Sequence, residues 1–145
     1  MTSANKDPAG ATSSATDVLE LGPGEGRSYS LGLMRAVFKA DHAESDNRYA
    51  ISEWWLEPNS SGPGAHLHES NEEIFYGLEG TVSIFVGESW RKLEKGGFLR
   101  IPAGTMHDFE NRTGKVAGLL NIFIPGGFEN SMPAIVKWFE DNPQA

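Results

Sequence analysis

Residues 62–80 read GPGAHLHESNEEIFYGLEG, and this stretch decides how the rest of the chain is interpreted. His66 and His68 are two residues apart, so in a β-strand their side chains point to the same face. Glu73 follows five residues after His68, which in one unbroken strand would place it on the opposite face. The segment 69–72 is turn-like, however, and can bring Glu73 in on a neighbouring strand. The stretch therefore offers two imidazoles and one carboxylate to a common point.

A second stretch, residues 96–111, reads GGFLRIPAGTMHDFEN and contributes a third imidazole. His107 follows the turn at residues 102–104 and stands at the start of a predicted strand. Three imidazoles and one carboxylate form a mixed nitrogen and oxygen site, which suits one divalent Fe, Mn, Ni, Zn or Cu ion. Closed structural zinc sites usually use cysteine, and this chain has none. Four ligands on an octahedral ion leave two positions for substrate, water or dioxygen.

The two stretches resemble, in order and in spacing, the two sequence motifs of the cupin superfamily. The gap between them, residues 81–95, is typical of small single-domain cupins. The resemblance implies an all-β double-stranded β-helix, a cupin or jelly-roll barrel that is commonly homodimeric and holds a metal ion in its interior. Carried over position by position, it implies that the metal ligands are His66, His68, Glu73 and His107.

Glu73 has two competitors as the carboxylate ligand, Glu69 and Glu72. The six-residue spacing from Glu73 to Gly80 matches the first cupin motif and favours Glu73. Glu73 is also the candidate catalytic residue. It either remains a ligand of the ion or dissociates from the ion to act as a base. A base of this kind is typically worth ~10²–10⁴-fold in rate.

A finer resemblance concerns residues 49–53 (YAISE) and residues 125–129 (PGGFE). These flanking segments are similar to those of small quercetin-dioxygenase-like cupins. The resemblance implies a dioxygenase-type oxidoreductase that acts on a small organic substrate such as an enol, a phenol or a diketone. Two alternatives stay open. One is a metal-dependent isomerase, lyase or cyclase that uses the ion as a Lewis acid, and the other is a non-catalytic module that binds a small molecule.

The composition narrows the partners and the location. The chain has 145 residues, a net charge of −8 and no basic block, which argues against nucleic acid and anionic membrane surfaces. No run approaches the roughly 18–20 apolar residues that span a bilayer. The absence of cysteine excludes disulfides and fits a cytoplasmic location. The expected partners are therefore a small-molecule substrate and, from the resemblance, a second copy of the chain.

Short apolar runs separated by Gly, Pro and Asn predict a single all-β domain over residues 17–145, with a short C-terminal helix. The strands are predicted at Val18–Leu21, Leu33–Lys39, Tyr49–Glu57, Glu73–Leu78, Thr81–Val86, Trp90–Leu93, Gly97–Ile101, His107–Asn111 and Val116–Ile124. Ser131 can cap the helix, and Pro133 lies in its first turn. Residues 1–16 are rich in Ser, Thr, Ala, Pro and Gly and are predicted to be a disordered leader without a secretory signal.

Several other side chains are candidates for a substrate pocket. The sequence does not show which face of its strand each of them occupies. These substrate-binding candidates are Arg35, Glu53, Phe75, Asn121 and Phe123. Of the adjacent Trp54 and Trp55, one is expected to face inward and the other outward. Phe128 either covers the barrel mouth or packs in the core. His42 lies in a polar loop and is expected to be exposed, with no role in the site.

Overall fold

The computed structural model describes residues 14–143, and the predicted leader lies almost wholly outside this range. The strands of the described range are β1 Arg27–Leu31, β2 Met34–Ala40, β3 Ala50–Leu56, β4 Glu72–Glu79, β5 Thr81–Val86, β6 Ser89–Glu94, β7 Phe98–Ile101, β8 His107–Glu110 and β9 Ala117–Ile124. The helices are α1 His42–Ser45, a 3₁₀ helix at Phe128–Ser131, and α2 Met132–Asp141. None of these helices is long and apolar enough to cross a membrane.

The strands form two antiparallel sheets. Six strands lie in the order β1-β2-β3-β9-β4-β7, and three lie in the order β6-β5-β8. Side chains alternate between buried and partly exposed along β3, because successive residues of a strand point to opposite faces. The inward faces of both sheets share one core that includes Phe38, Leu56, Phe75, Ile84 and Leu119. The prediction of an all-β domain with a short C-terminal helix is confirmed.

The predicted strands match the observed ones except at the N-terminal side. Val18–Leu21 is not a strand, and that prediction was wrong because an apolar run becomes a strand only when another strand pairs with it. The side chain of Val18 is 82 % exposed. Conversely, β1 was missed because its sequence, RSYSL, carries little apolar signal. It is held by pairing with β2 from Arg27↔Phe38 to Leu31↔Met34.

The C-terminal helix α2 packs across one end of the barrel. Pro133 lies in its first turn as predicted, whereas the Ser131 side chain makes no capping hydrogen bond. Met132 and Phe139 are buried, while Trp138 is 56 % exposed. The apolar positions of α2 recur at helical spacing, so one face of the helix meets the barrel.

A polar cluster of Arg27, Tyr29, Asp41, Glu44 and Glu129 fixes the chain between β9 and α2. Arg27 pairs with Glu44 at 2.7 Å and with Glu129 at 2.8 Å. The Tyr29 hydroxyl donates to Glu129 Oε2 at 2.7 Å. The Asp41 carboxylate accepts the backbone N–H of Glu129 at 2.7 Å. Strand β1 and Asp41, the residue before α1, therefore hold the start of the 3₁₀ helix in one place.

We expect this cluster to make stability depend on pH between about 10 and 12. Burial raises the pKa of Tyr29 to about 12, and its hydrogen bond to Glu129 adds to the effect. The pKa of an unfolded tyrosine is about 10. Because the folded value is higher, the contribution is fully present below about pH 10 and is lost as pH rises through about 12. Urea unfolding should show the difference in stability between wild type and Tyr29→Phe shrinking over that window. A difference that is constant with pH would contradict this.

Gly77 lies where β4 passes the connection between β6 and β7, and it exchanges backbone hydrogen bonds with Gly96 and Gly97, each 2.9 Å. A Cβ at Gly77 would overlap the backbone oxygen of Glu94. We expect Gly77→Ala to lower the free energy of unfolding by about 1–3 kcal/mol, as overpacking usually does, measured by urea denaturation. The matched control is Gly114→Ala, since a Cβ there meets no atom within 4 Å. Equal losses in the two variants would rule out the steric explanation.

Candidate metal centre

The four predicted ligands come together inside the barrel. One ligand atom from each of His66, His68, Glu73 and His107 lies within 4.8 Å of those of the others. His66 and His107 form an isolated antiparallel bridge, in which His66 N donates to His107 O at 2.9 Å and His107 N donates to His66 O at 2.8 Å. This bridge places the loop before β4 directly beside the start of β8, so residues far apart in sequence face one point.

Backbone carbonyls set the tautomers of two of the imidazoles. Nδ1 of His66 lies 2.6 Å from the carbonyl oxygen of Gly64, and Nδ1 of His107 lies 2.9 Å from that of Thr105. A carbonyl oxygen only accepts, so Nδ1 of each ring carries the hydrogen and donates it. The neutral rings therefore present an Nε2 lone pair to the centre, which is the arrangement that metal-ligating histidines use.

Glu73 uses its two carboxylate oxygens differently. Oε1 accepts a hydrogen bond from Asn121 Nδ2 at 2.9 Å. Oε2 lies 2.6 Å from His107 Nε2 and 3.4 Å from His68 Nε2. One oxygen is thus held by the protein, and the other faces the imidazoles.

The donor atoms at the centre fit a cation. Within residues 14–143, the buried side-chain N and O atoms without a hydrogen-bond partner are His68 Nε2, Glu73 Oε2 and His107 Nε2. Leaving a buried polar group unsatisfied costs about 1–3 kcal/mol, so such atoms are rare and seldom cluster. A divalent transition metal would accept all three lone pairs, and a mixed nitrogen and oxygen set suits it.

The electrostatics leave Glu73 charged. Burial raises the pKa of Glu73, but the contact with His107, the charge of His68 and the Asn121 hydrogen bond outweigh burial and lower it. Burial lowers the pKa of His107, yet the contact with Glu73 raises it overall. The pKa of His68 is lowered, chiefly by burial. The directions for Glu73 and His68 favour a carboxylate and a neutral imidazole, the forms in which these two residues bind a metal ion.

A cavity of about 430 Å³ opens next to the centre, with His66, His68 and Glu73 on its wall. Its lining is mainly apolar and aromatic and includes Trp54, Phe75, Phe109, Phe128, Ile135 and Phe139. Among the described residues no lysine or arginine lines it. The cavity can therefore admit a small, largely apolar molecule and bring one of its polar atoms to the metal centre.

The structure places the substrate-binding candidates in three different environments. Phe75 and Asn121 line the cavity. Phe123 instead packs against His68, and the centroids of the two rings are 4.9 Å apart. Arg35 and Glu53 lie on the outer face of the sheet and outside the cavity, which corrects the expectation for both. Arg35 is exposed, and Glu53 accepts a hydrogen bond from Trp55 Nε1 at 3.1 Å.

The physical reason is strand parity. In the register of β2 and β3, Ala36 pairs with Trp54 and Arg35 pairs with Trp55. Ala36 and Trp54 are buried, so Arg35 and the residues in phase with it face outward. His42 is exposed on α1, as expected.

Helix α2 forms a wall of the cavity that was not predicted from the sequence. Ile135, Trp138 and Phe139 of α2 line it together with Phe128. The apolar spacing of the helix was visible, but it indicates only that the helix packs on something. Phe128 contacts His68 with ring centroids 6.0 Å apart, so it reaches the metal centre as well as the cavity.

We expect the protein to bind one divalent transition metal ion per chain and His66→Ala to weaken that binding more than about 100-fold. Loss of outer-shell support alone typically costs 10–100-fold, so loss of a ligand should cost at least as much. Titration calorimetry with Mn(II) measures the affinity, and thermal unfolding should show a metal-dependent rise in Tm. His42→Ala is the matched control, because His42 lies exposed on α1. Equal affinities in wild type and His66→Ala would refute the site.

Comparisons with known proteins agree with this fold. A family model described as a cupin domain matches residues 52–123. Over 119 residues the chain is 31% identical to quercetin 2,3-dioxygenase of Bacillus subtilis (strain 168), a match that covers 77% of this chain and 32% of the relative. The chain thus spans about a third of the length of that curated relative.

The solved structures show the same fold at lower identity. KdgF from Halomonas sp. superimposes with a TM-score of 0.62 at 16% identity, covering 71% of this chain and 89% of that chain. Oxalate decarboxylase of Bacillus subtilis, in a structure concerned with its Mn(II) centres, gives a TM-score of 0.63 at 19% identity, covering 72% of this chain and 29% of that one. With its barrel, both motifs and the matching family model, this chain belongs to the cupin superfamily.

Proposed function

We propose that this protein is a mononuclear metal-dependent dioxygenase that acts on a small, largely apolar substrate with an enol, phenol or diketone oxygen. The observation that carries the proposal is the set of four converging donors, three of which lie on the wall of an apolar cavity. The curated relative is a quercetin 2,3-dioxygenase, which supports oxygen chemistry.

The residues of the metal centre have different roles in this proposal. His66, His68, Glu73 and His107 would hold the ion, and Fe, Mn, Ni or Cu would supply redox chemistry together with Lewis acidity. Glu73 Oε2 is the anionic oxygen that faces the centre and can accept the proton of a substrate hydroxyl. Asn121 holds the other oxygen of that carboxylate, so the accepting atom keeps its direction.

The cavity wall selects the substrate and excludes water. Phe75, Phe109 and Phe128 surround the substrate space with apolar rings, and a dry environment strengthens the electrostatic contacts inside it. The lack of a lining lysine or arginine among the described residues disfavours substrates that carry a second anionic group. Burying such a group without a partner is costly.

A second candidate is a metal-dependent isomerase, lyase or cyclase in which the ion acts only as a Lewis acid. The donor set favours it equally, because three imidazoles and a carboxylate also suit zinc. The two candidates differ in one requirement, since only the dioxygenase consumes oxygen.

We expect substrate-dependent oxygen uptake by protein loaded with Fe, Mn, Ni or Cu, measured with an oxygen electrode over a panel of enols, diketones and phenols. His66→Ala should abolish the uptake, and His42→Ala should retain it. Oxalate, a small dianion, should not be consumed. Turnover that persists at the same rate under argon would favour the Lewis-acid candidate. No uptake with any substrate and metal combination would count against the dioxygenase.

A further inference from the structure

Asn121 does more than line the cavity. It lies on β9, opposite Ser52 of β3 and Phe75 of β4, and its side chain is directed inward with only 6% of the residue exposed. Its Nδ2 donates to Glu73 Oε1 at 2.9 Å. Asn121 is therefore a buried polar residue that touches a candidate metal ligand and also lines the cavity.

The hydrogen bond to Glu73 fixes which way the Asn121 amide points. The amide atom that faces Glu73 Oε1 is Nδ2, at 2.9 Å, and an amide NH₂ group only donates whereas the amide oxygen only accepts. The NH₂ group must therefore face Glu73, which leaves Oδ1 on the other branch of the amide. No donor among residues 14–143 bonds Oδ1.

Oδ1 of Asn121 is an acceptor that the cavity can use. In the described range 14–143, the buried side-chain atoms without a partner are three donor atoms of the metal centre, and Asn121 Oδ1 is not among them. Because Oδ1 has no partner and yet is absent from that set, it is not fully buried, and the cavity is the space that its residue lines. Ser131, another polar lining residue, is exposed in the 3₁₀ helix, so Asn121 supplies the buried acceptor beside Glu73.

We propose that Asn121 Oδ1 selects substrates that carry a hydroxyl or N–H group next to their metal-binding oxygen. The class includes ortho-dihydroxyarenes, α-hydroxyketones and hydroxamates. A ligand with that donor satisfies Oδ1 when it displaces water from the apolar cavity. A ligand without it leaves Oδ1 desolvated and unpaired, and sites built to bond a substrate donor reject analogues that lack it. The inference rests on the proposed function, because it assigns the substrate class of the same site.

The test is a binding cycle that needs no turnover. Catechol and its monomethyl ether, guaiacol, differ in one donor, and both are titrated anaerobically by calorimetry into protein whose Mn(II) occupancy is established by EPR. The same titrations are made with Asn121→Leu, which is similar in size but has no acceptor. Catechol and guaiacol also differ in how well they chelate the ion, but this difference is the same in wild type and in Asn121→Leu. It therefore cancels, and the cycle measures the interaction of the extra hydroxyl with Asn121.

We expect wild type to prefer catechol over guaiacol, and this preference to fall about 3- to 10-fold in Asn121→Leu, the range of one hydrogen bond. Asn121→Asp keeps an acceptor oxygen at the position and should retain most of the preference, provided that its Mn(II) occupancy matches that of wild type. This second variant keeps the proposal testable if Asn121→Leu folds poorly.

A preference that is equal in all three proteins would overturn the proposal, because the metal ion alone would then discriminate between catechol and guaiacol. Failure of both probes to bind Mn(II)-loaded wild type would overturn it too. Selective binding without any oxygen uptake would instead contradict the dioxygenase function and still support the role of Asn121. The two failures are thus distinguishable.

Discussion

His66 and His107 exchange a pair of backbone hydrogen bonds, 2.9 and 2.8 Å long, and the site depends on this bridge. It joins the loop that carries the first two imidazoles to the strand that carries the third. The carbonyls of Gly64 and Thr105, two residues before each bridged histidine, accept from the ring Nδ1 atoms. One local backbone arrangement therefore sets both the position of the rings and the nitrogen that each presents.

The bridge leaves Glu73 as the group that completes the centre. Glu73 lies on β4, between β9 and β7, where register places it opposite Phe123 and Ile101. A buried carboxylate without partners would be costly. The imidazoles and Asn121 stabilise its charge, which lowers its pKa despite burial. The same contacts that prepare Glu73 for a cation thus keep it ionised in the barrel.

The cavity depends on a different set of contacts, which join the N-terminal strand β1 and the residues around α1 to the C-terminal part of the chain. The polar cluster around Glu129 holds the 3₁₀ helix against β1 and α1. This anchor directs Phe128 towards His68 and Phe123 and sets the start of α2, whose apolar face forms the outer wall. The four donors and the outer wall of the cavity are therefore built by separate parts of the fold.

The sequence by itself determined the β-rich fold, most strand positions and the four converging donors, because local periodicity and motif spacing are properties of neighbouring residues. It did not determine which faces of β2 and β3 look inward, so the pocket candidates Arg35 and Glu53 lie on the outer face instead. Parity depends on register with other strands, and a shift of one residue reverses it. The unpaired run at residues 18–21, the polar strand β1 and the helical wall were likewise decided by long-range pairing and packing, which only the tertiary structure contains.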